Sequence, residues 1–292
     1  MFGSSRDVSP EERNSLSKLA CGCGACGARE AARGDEAWRV LAAEALGTAL
    51  LVALSCLPAA APAPPLQRAL AAGLVVTVLV QCFDHVSGAM FNPTVTLAAA
   101  LRGRVAGVRT AGVLGAQLAG AAAGAGLLRL LAPAAPGACA LCLTLPADHV
   151  SVYKAAAIEA VLGGCLALAN CASWDARNRL LTDSWPARIG LIVAGLTLVA
   201  GELTGASMNP ARSFGPALWA MNFDRHWVYW LGPLTGSALC SALYAWAWPA
   251  PLHAPARADP CAACAPGPAC APGPTCAPGP ACPAPAAKRR PV

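Results

Sequence analysis

The sequence predicts an all-α membrane protein: six transmembrane helices and two re-entrant half-helices, arranged as an inverted repeat. Three observations carry that reading. The chain is 56% hydrophobic and only 12% charged, with a mean hydropathy of +0.51, whereas soluble domains run at about 25% charged. Six hydrophobic runs approach the roughly 20 apolar residues that a bilayer crossing takes. Finally, the segment from Thr204 to Gly215 has an imperfect twin in the segment from Ser87 to Ala98. Their Asn-Pro pairs, at Asn92 and Asn209, stand 117 positions apart (209 − 92).

Residues 1–36 are polar, mixed in charge and without the early apolar segment of a signal peptide. They are expected to be disordered and cytoplasmic, with the first span acting as its own insertion signal. Spans are expected at 37–57 and 66–84, joined by a Pro-rich loop at 58–65 that faces outward. The first Asn-Pro pair then opens a short apolar stretch, 93–101, half the length of a crossing. A third span at 109–131 completes the copy. After the Pro-rich loop 132–151 the order repeats: spans at 154–173 and 186–203, a half-length stretch at 210–219 behind the second Asn-Pro pair, and a last span at 227–248. Residues 249–292 carry near-repeats of Cys-Ala-Pro-Gly-Pro and cannot build a packed core, so a disordered cytoplasmic tail is expected. The membrane domain is therefore 37–248, with repeats at about 37–131 and 154–248.

The repeat extends beyond the twin boxes. Ala43-Glu44-Ala45 in the first span echoes Ile158-Glu159-Ala160 in the fourth, and Leu114-Gly115 in the third echoes Leu231-Gly232 in the sixth. Each copy crosses three times, an odd number, so the second copy inserts upside down relative to the first. The half-helices then enter from opposite faces and meet at their N-termini. A Pro at a helix start is pre-organised, and the start leaves backbone N–H groups unpaired at the positive end of a dipole. Irregular backbone survives inside a bilayer only where protein buries it or water lines it. Two such helix starts facing each other therefore read as a pore. A simple helix cap would explain Asn-Pro in a soluble loop, not this paired arrangement.

Lys and Arg are distributed asymmetrically. Sixteen fall on the side of the two termini, in four groups: before the first span, after the first half-helix (Arg102, Arg104, Arg109), around the fourth loop (Arg177, Arg179, Arg188) and in the tail. Three, Arg68, Lys154 and Arg225, fall on the other side. This places both termini in the cytoplasm. Arg129 and Arg212 are left at membrane depth, where an ionisable residue is a functional candidate by default.

On these residues the chain resembles the aquaporin (major intrinsic protein) family over 37–248. The resemblance is carried by the Asn-Pro boxes (Asn92-Pro93-Thr94 and Asn209-Pro210-Ala211), the run Ser207 to Pro216, the run His226 to Pro233, and Glu44 and Glu159 at matching repeat positions. It implies a passive water channel, open to small neutral solutes and closed to protons and ions, assembled as a homotetramer with one pore per subunit. It implies no cofactor, no metal, no enzymatic turnover and no nucleic-acid partner; its partners are water, small uncharged solutes and the lipid bilayer. The plasma membrane is the expected location. The rivals are a broader channel for glycerol, urea, ammonia or hydrogen peroxide, and a non-conducting adhesion or scaffold protein.

The resemblance places the constriction at Ala72, Thr197, Ala206 and Arg212. Strictly water-selective relatives carry an aromatic residue and a His at the first two positions, so small side chains imply a wider aperture. Ser213 pulls the other way, since glycerol-conducting relatives usually have Asp there. Glu44 and Glu159 are expected to accept backbone N–H groups from the stretches near 87–91 and 204–208, whose carbonyls would serve the pore. Thr94 departs from the family's usual Ala and is expected to be tolerated, with its hydroxyl bonded internally. No Cys stands at Ala206, so mercurial block through that position is expected to be absent. His85, His149 and the His226-Trp227 pair are expected at the membrane faces. The 15 cysteines are not spaced as a framework. Cys56, Cys82, Cys165, Cys171 and Cys240 are expected to pack as thiols. Cys21, Cys23 and Cys26 are read as plain disordered sequence rather than a lipidation or zinc site.

Overall fold

Asn, Pro and Gly punctuate the chain into helices whose bounds follow the hydrophobic pattern closely. The computed structural model describes residues 23–105, 107–133, 141–181 and 183–249, with side chains from residue 37 onward apart from those at 179 and 180. Residues 1–22 and the tail from 250 on lie outside the described residues, so the expectations for Cys21 and for tail disorder are not addressed there. The described residues hold eight α-helices and no strand: α1 Cys23–Cys56, α2 Pro65–Ser87, α3 Pro93–Leu101, α4 Gly107–Leu131, α5 Val152–Ser173, α6 Trp185–Thr204, α7 Pro210–Ala220 and α8 Val228–Ala247. Short 3-10 turns follow α1 (Leu57–Ala60) and α5 (Ala176–Leu181). The first helix begins at Cys23, well inside the segment expected to be disordered.

Five of these helices are long and apolar enough to cross a membrane. The sixth long one, α8, has 20 residues but carries Tyr229, Trp230, Pro233, Ser237 and Ser241, which lower its hydropathy. Its polar residues turn inward: Tyr229, Ser237 and Ser241 are buried, while Leu231, Leu239 and Leu243 are exposed. The half-helices α3 and α7 run to 9 and 11 residues, too short to cross.

The packing obeys the repeat. Within each copy the first and third spans lie together, α1 on α4 and α5 on α8; the middle spans α2 and α6 meet across the copies. Each half-helix rests on the last span of the other copy, α3 on α8 and α7 on α4. These contacts depend on small residues. At Gly236 an added Cβ would overlap the Ala160 carbonyl of α5, leaving no rotamer that avoids the neighbouring backbone. Gly236→Leu is therefore expected to destabilise the fold by about 3 kcal/mol, the upper range for overpacking, read as a lowered unfolding temperature in detergent.

Candidate functional site

Two irregular stretches, Gly88–Asn92 and Gly205–Asn209, carry the chain from the ends of α2 and α6 to the starts of α3 and α7. Their backbones repeat residue by residue at the 117 offset. Gly88 and Gly205 are left-handed, at φ 86° and 83°, as are Ala89 and Ala206 (45° and 43°) and Phe91 and Met208 (49° and 55°). Left-handed non-glycine residues are costly, so something must hold them. Two fully buried carboxylates do. Glu44 on α1 accepts from the N–H groups of Met90 (3.0 Å) and Phe91 (2.8 Å) and from the Ser87 hydroxyl (2.7 Å). Glu159 on α5 accepts from Ser207 N (2.9 Å), Met208 N (2.8 Å) and the Thr204 hydroxyl (2.7 Å). Ser87 and Thr204, also 117 apart, were legible as a repeat pair but were not singled out from sequence. Gln117, which donates to Glu44 at 2.8 Å, and Tyr229, which donates to the Thr204 carbonyl at 2.7 Å, carried no such signal.

The boxes meet at their asparagines. Asn92 Oδ1 accepts from Thr94 N (2.8 Å), and Asn209 Oδ1 accepts from Ala211 N (3.0 Å) and Arg212 N (3.1 Å). Each amide then reaches across the repeat: Asn92 Nδ2 donates to the Met208 carbonyl at 3.0 Å, and Asn209 Nδ2 donates to the Phe91 carbonyl at 2.9 Å. An amide nitrogen has two protons, so one locks the copies together and the second remains. Both asparagines line one cavity of roughly 420 Å³.

Ala72, Thr197, Ala206 and Arg212 line that same cavity; Pro93, Thr94, Pro210 and Ala211 do not, being packed behind it. The Thr197 hydroxyl is bonded to the Val193 carbonyl of its own helix at 2.8 Å. Ser213 is fully buried, and its hydroxyl is engaged by Thr144 (2.8 Å) and Ser207 (2.6 Å), so it is not part of the aperture. The cavity mouth carries Arg68 and Glu202, paired at 3.0 Å, both well exposed.

Cys56 corrects the expectation that it packs as a thiol: it forms a disulfide with Cys142, 86 positions away. The chain brings them together because α1 ends and α4 returns on the same face, a proximity that spacing alone does not encode. Cys82 and Cys165 are exposed thiols, Cys171 a buried one and Cys240 a partly buried one.

Thr94 also departs from expectation. It is fully buried and, among the described residues, its hydroxyl has no hydrogen-bond partner, instead of an internal one. Asn92 nonetheless keeps the cross-repeat amide bond and the first Oδ1 bond that Asn209 makes, lacking only the second donor that Arg212 N supplies to Asn209, so the extra bulk does not displace its amide. An unpaired buried hydroxyl costs about 1 kcal/mol or more. Thr94→Val keeps the shape and removes the hydroxyl; it is expected to raise thermal stability by about 1 kcal/mol while leaving swelling rates unchanged.

A second cavity, also of roughly 420 Å³, opens at the opposite face and shares Gly88, Met90 and Trp185 with the first. Arg104, Asp175 and Arg188 line it. Arg177 bonds Asp175 through Nε at 2.8 Å and again through Nη2, which holds that carboxyl well below the usual range. A depressed carboxylate contributes stability above its unfolded value near 4 and loses it as pH falls. Acid is therefore expected to loosen this mouth, and Asp175→Asn to remove that pH dependence in a melting series. His85 and His149 are exposed at opposite ends of the helices, while His226 is partly buried against Phe223 and Trp230.

Comparison with known proteins agrees with this architecture. A family model described as Major intrinsic protein matches residues 31–244. The chain is 41% identical over 223 residues to the lens fiber major intrinsic protein of Gallus gallus, covering 73% of this chain and 82% of the relative. It is 34% identical over 215 residues to Aquaporin-4 of Bos taurus, covering 71% and 66%. The X-ray structure of the aquaglyceroporin from Plasmodium falciparum superimposes with a TM-score of 0.61 at 22% identity, over 71% of this chain and 95% of that one, which bears on the fold alone.

Proposed function

The chain belongs to the major intrinsic protein family of multi-pass membrane channels, and from that premise we propose that it conducts water and small uncharged solutes passively while excluding protons and ions. The observation that carries this reading is the reciprocal Asn92–Met208 and Asn209–Phe91 bonding, which sets two helix N-termini against each other beside one cavity. The remaining amide proton of each Asn can bind the oxygen of a passing water. A water held by its oxygen from both sides cannot keep an unbroken donor–acceptor line with its neighbours, so proton hopping is interrupted. Both helix dipoles and the Arg212 guanidinium present positive potential to cations. The carbonyls of the two Glu-braced stretches offer acceptors along the path.

Small residues at Ala72, Thr197 and Ala206 favour a wider aperture that admits glycerol, urea, ammonia or hydrogen peroxide. With Ser213 buried, nothing at that position opposes it. The disulfide supports the orientation with both termini cytoplasmic, because such bonds persist in oxidising compartments and this one lies at the far end of α1 from its start at Cys23. A homotetramer in the plasma membrane is the assembly proposed.

Stopped-flow light scattering on proteoliposomes tests the reading. Water flux well above the lipid background is expected, with glycerol and urea uptake faster than lipid alone and no added proton leak. Flux no greater than empty liposomes would overturn it in favour of a scaffold role.

A further inference from the structure

Arg212 is held by a single residue. Among the described residues its guanidinium has two polar partners, the Cys142 carbonyl (Nη1, 3.3 Å) and the Cys142 sulfur (Nη2, 3.0 Å), and it makes no ion pair. Cys142 is itself left-handed, at φ 65°, in a segment leading from the end of α4 to α5. Two fastenings lie close to Arg212, in addition to the bond from Ala147 N to the Leu203 carbonyl (2.9 Å) farther along the segment. Thr144 donates to Ser213 at 2.8 Å, one residue beyond Arg212, and the disulfide ties Cys142 to Cys56. Cys56 is buried at the end of α1, in an apolar cluster with Val52, Ala121, Leu128 and Ala211. Cys142 packs on the edge of the same cluster, so the bridge and the first turn of α7 share one seat.

We propose that the Cys56–Cys142 disulfide is a positioning element of the constriction, presenting to Arg212 both acceptors it uses and thereby setting the size cut-off at the mouth. A guanidinium is a planar fork on a flexible stem with many rotamers. Without a carboxylate to clamp it, its direction is set by how rigidly its two weak acceptors are held. Backbone strain at Cys142 would be released if the bridge were absent, and the carbonyl would turn with it. The charge of Arg212 remains unpaired and available to solutes, while its geometry is fixed covalently through its neighbour. This inference rests on the channel reading for its functional consequence but not for the geometry.

The variant that tests it is Cys56→Ser, because among the described residues Cys56 makes no hydrogen bond to Arg212 and its effect on the guanidinium passes through the bridge. A second arm treats reconstituted wild-type protein with a trialkylphosphine. The phosphine breaks the S–S bond, takes an oxygen from water to become the phosphine oxide, and leaves two thiols; peptide mass spectrometry verifies the product. In both arms the ratio of glycerol to water permeability is expected to rise severalfold with water flux essentially unchanged. A merely structural loss would lower both fluxes together. In an Arg212→Val background neither treatment is expected to alter the ratio.

A flux-free readout accompanies these: the rate of phenylglyoxal modification at Arg212, resolved by peptide mass spectrometry, is expected to rise severalfold once the bridge is gone. An unchanged ratio and an unchanged modification rate in bridge-free protein would overturn the proposal. So would a ratio that shifts equally in the Arg212→Val background, or free thiols at both positions in untreated protein. If no variant passes water or glycerol above the lipid background, the channel reading falls, and the phenylglyoxal rate still decides the role of the bridge.

Discussion

Glu159→Leu is expected to abolish conduction and to cut the yield of monodisperse protein sharply. The carboxylate is fully buried and accepts from Ser207 N, Met208 N and the Thr204 hydroxyl. Hydrogen bonds to a charged acceptor contribute about 1.5–3 kcal/mol each, and here all three donor residues are buried. Met208, a left-handed non-glycine residue of the same stretch, loses the bond that offsets its strain, of order 1–3 kcal/mol, and the Thr204 hydroxyl that Ala206 N donates to loses its anchor. A loss of about 4 kcal/mol or more follows, a large share of a stability of about 5–15 kcal/mol. Glu159→Gln is expected to fall between the two, since its amide keeps one acceptor oxygen and aims an N–H group at a donor. Size-exclusion profiles and liposome swelling measure both effects. Wild-type water permeability in Glu159→Leu would remove the bracing role assigned to this carboxylate.

Arg212→Val is expected to open the channel to cations and to larger solutes. The substitution copies the first repeat, where Val95 occupies the matching place. A unit charge about 4 Å from a passing ion is worth about 4 kcal/mol at an effective dielectric of 20, and near 1.4 kcal/mol per tenfold this is a barrier of two to three decades. The dipoles of α3 and α7 remain, so ion exclusion weakens instead of vanishing. Glycerol and urea fluxes should rise as the side chain retreats, with water flux little changed. A pH-sensitive dye inside liposomes clamped with valinomycin reports the leak. Arg212→Lys separates the two effects: it keeps the charge, and so the ion barrier, but loses the planar fork that meets Cys142. An Arg212→Val channel as tight to protons and potassium as the native chain would leave ion exclusion to the dipoles alone.

How much of this was readable beforehand differs by residue, for physical reasons. Asn92, Asn209, Glu44 and Glu159 could be picked out because a duplicated unit repeats its chemistry at a constant offset, and polar residues stand out against an apolar background. The half-helices were visible through their length. Ser87 and Thr204 obeyed the same offset and could have been found by it. Ser213 counted as a specificity signal because glycerol-conducting relatives usually carry Asp at that place; the helix turn buries it against Thr144 and Ser207, away from the cavity. The hydroxyl of Thr94 was expected to find a partner, which depended on neighbours from α8 that no local pattern names. Cys56 read as a packing thiol because its partner lay far along the chain in an irregular loop.

The number of crossings, the inversion of the second copy, the positions of the two helix starts and the asymmetry of charge could all be read from the residues before any packing was known. Each of these follows from local hydrophobicity, periodicity or counting, and none needs to know which side chains touch. Packing, by contrast, was needed to show that each Asn amide bonds the opposite copy, that Glu44 gains Gln117 as a further donor, that Ser213 is buried, and that Arg212 is held by a disulfide-tethered cysteine. These outcomes depend on contacts between segments tens of residues apart. Their geometry exists only after the helices have packed.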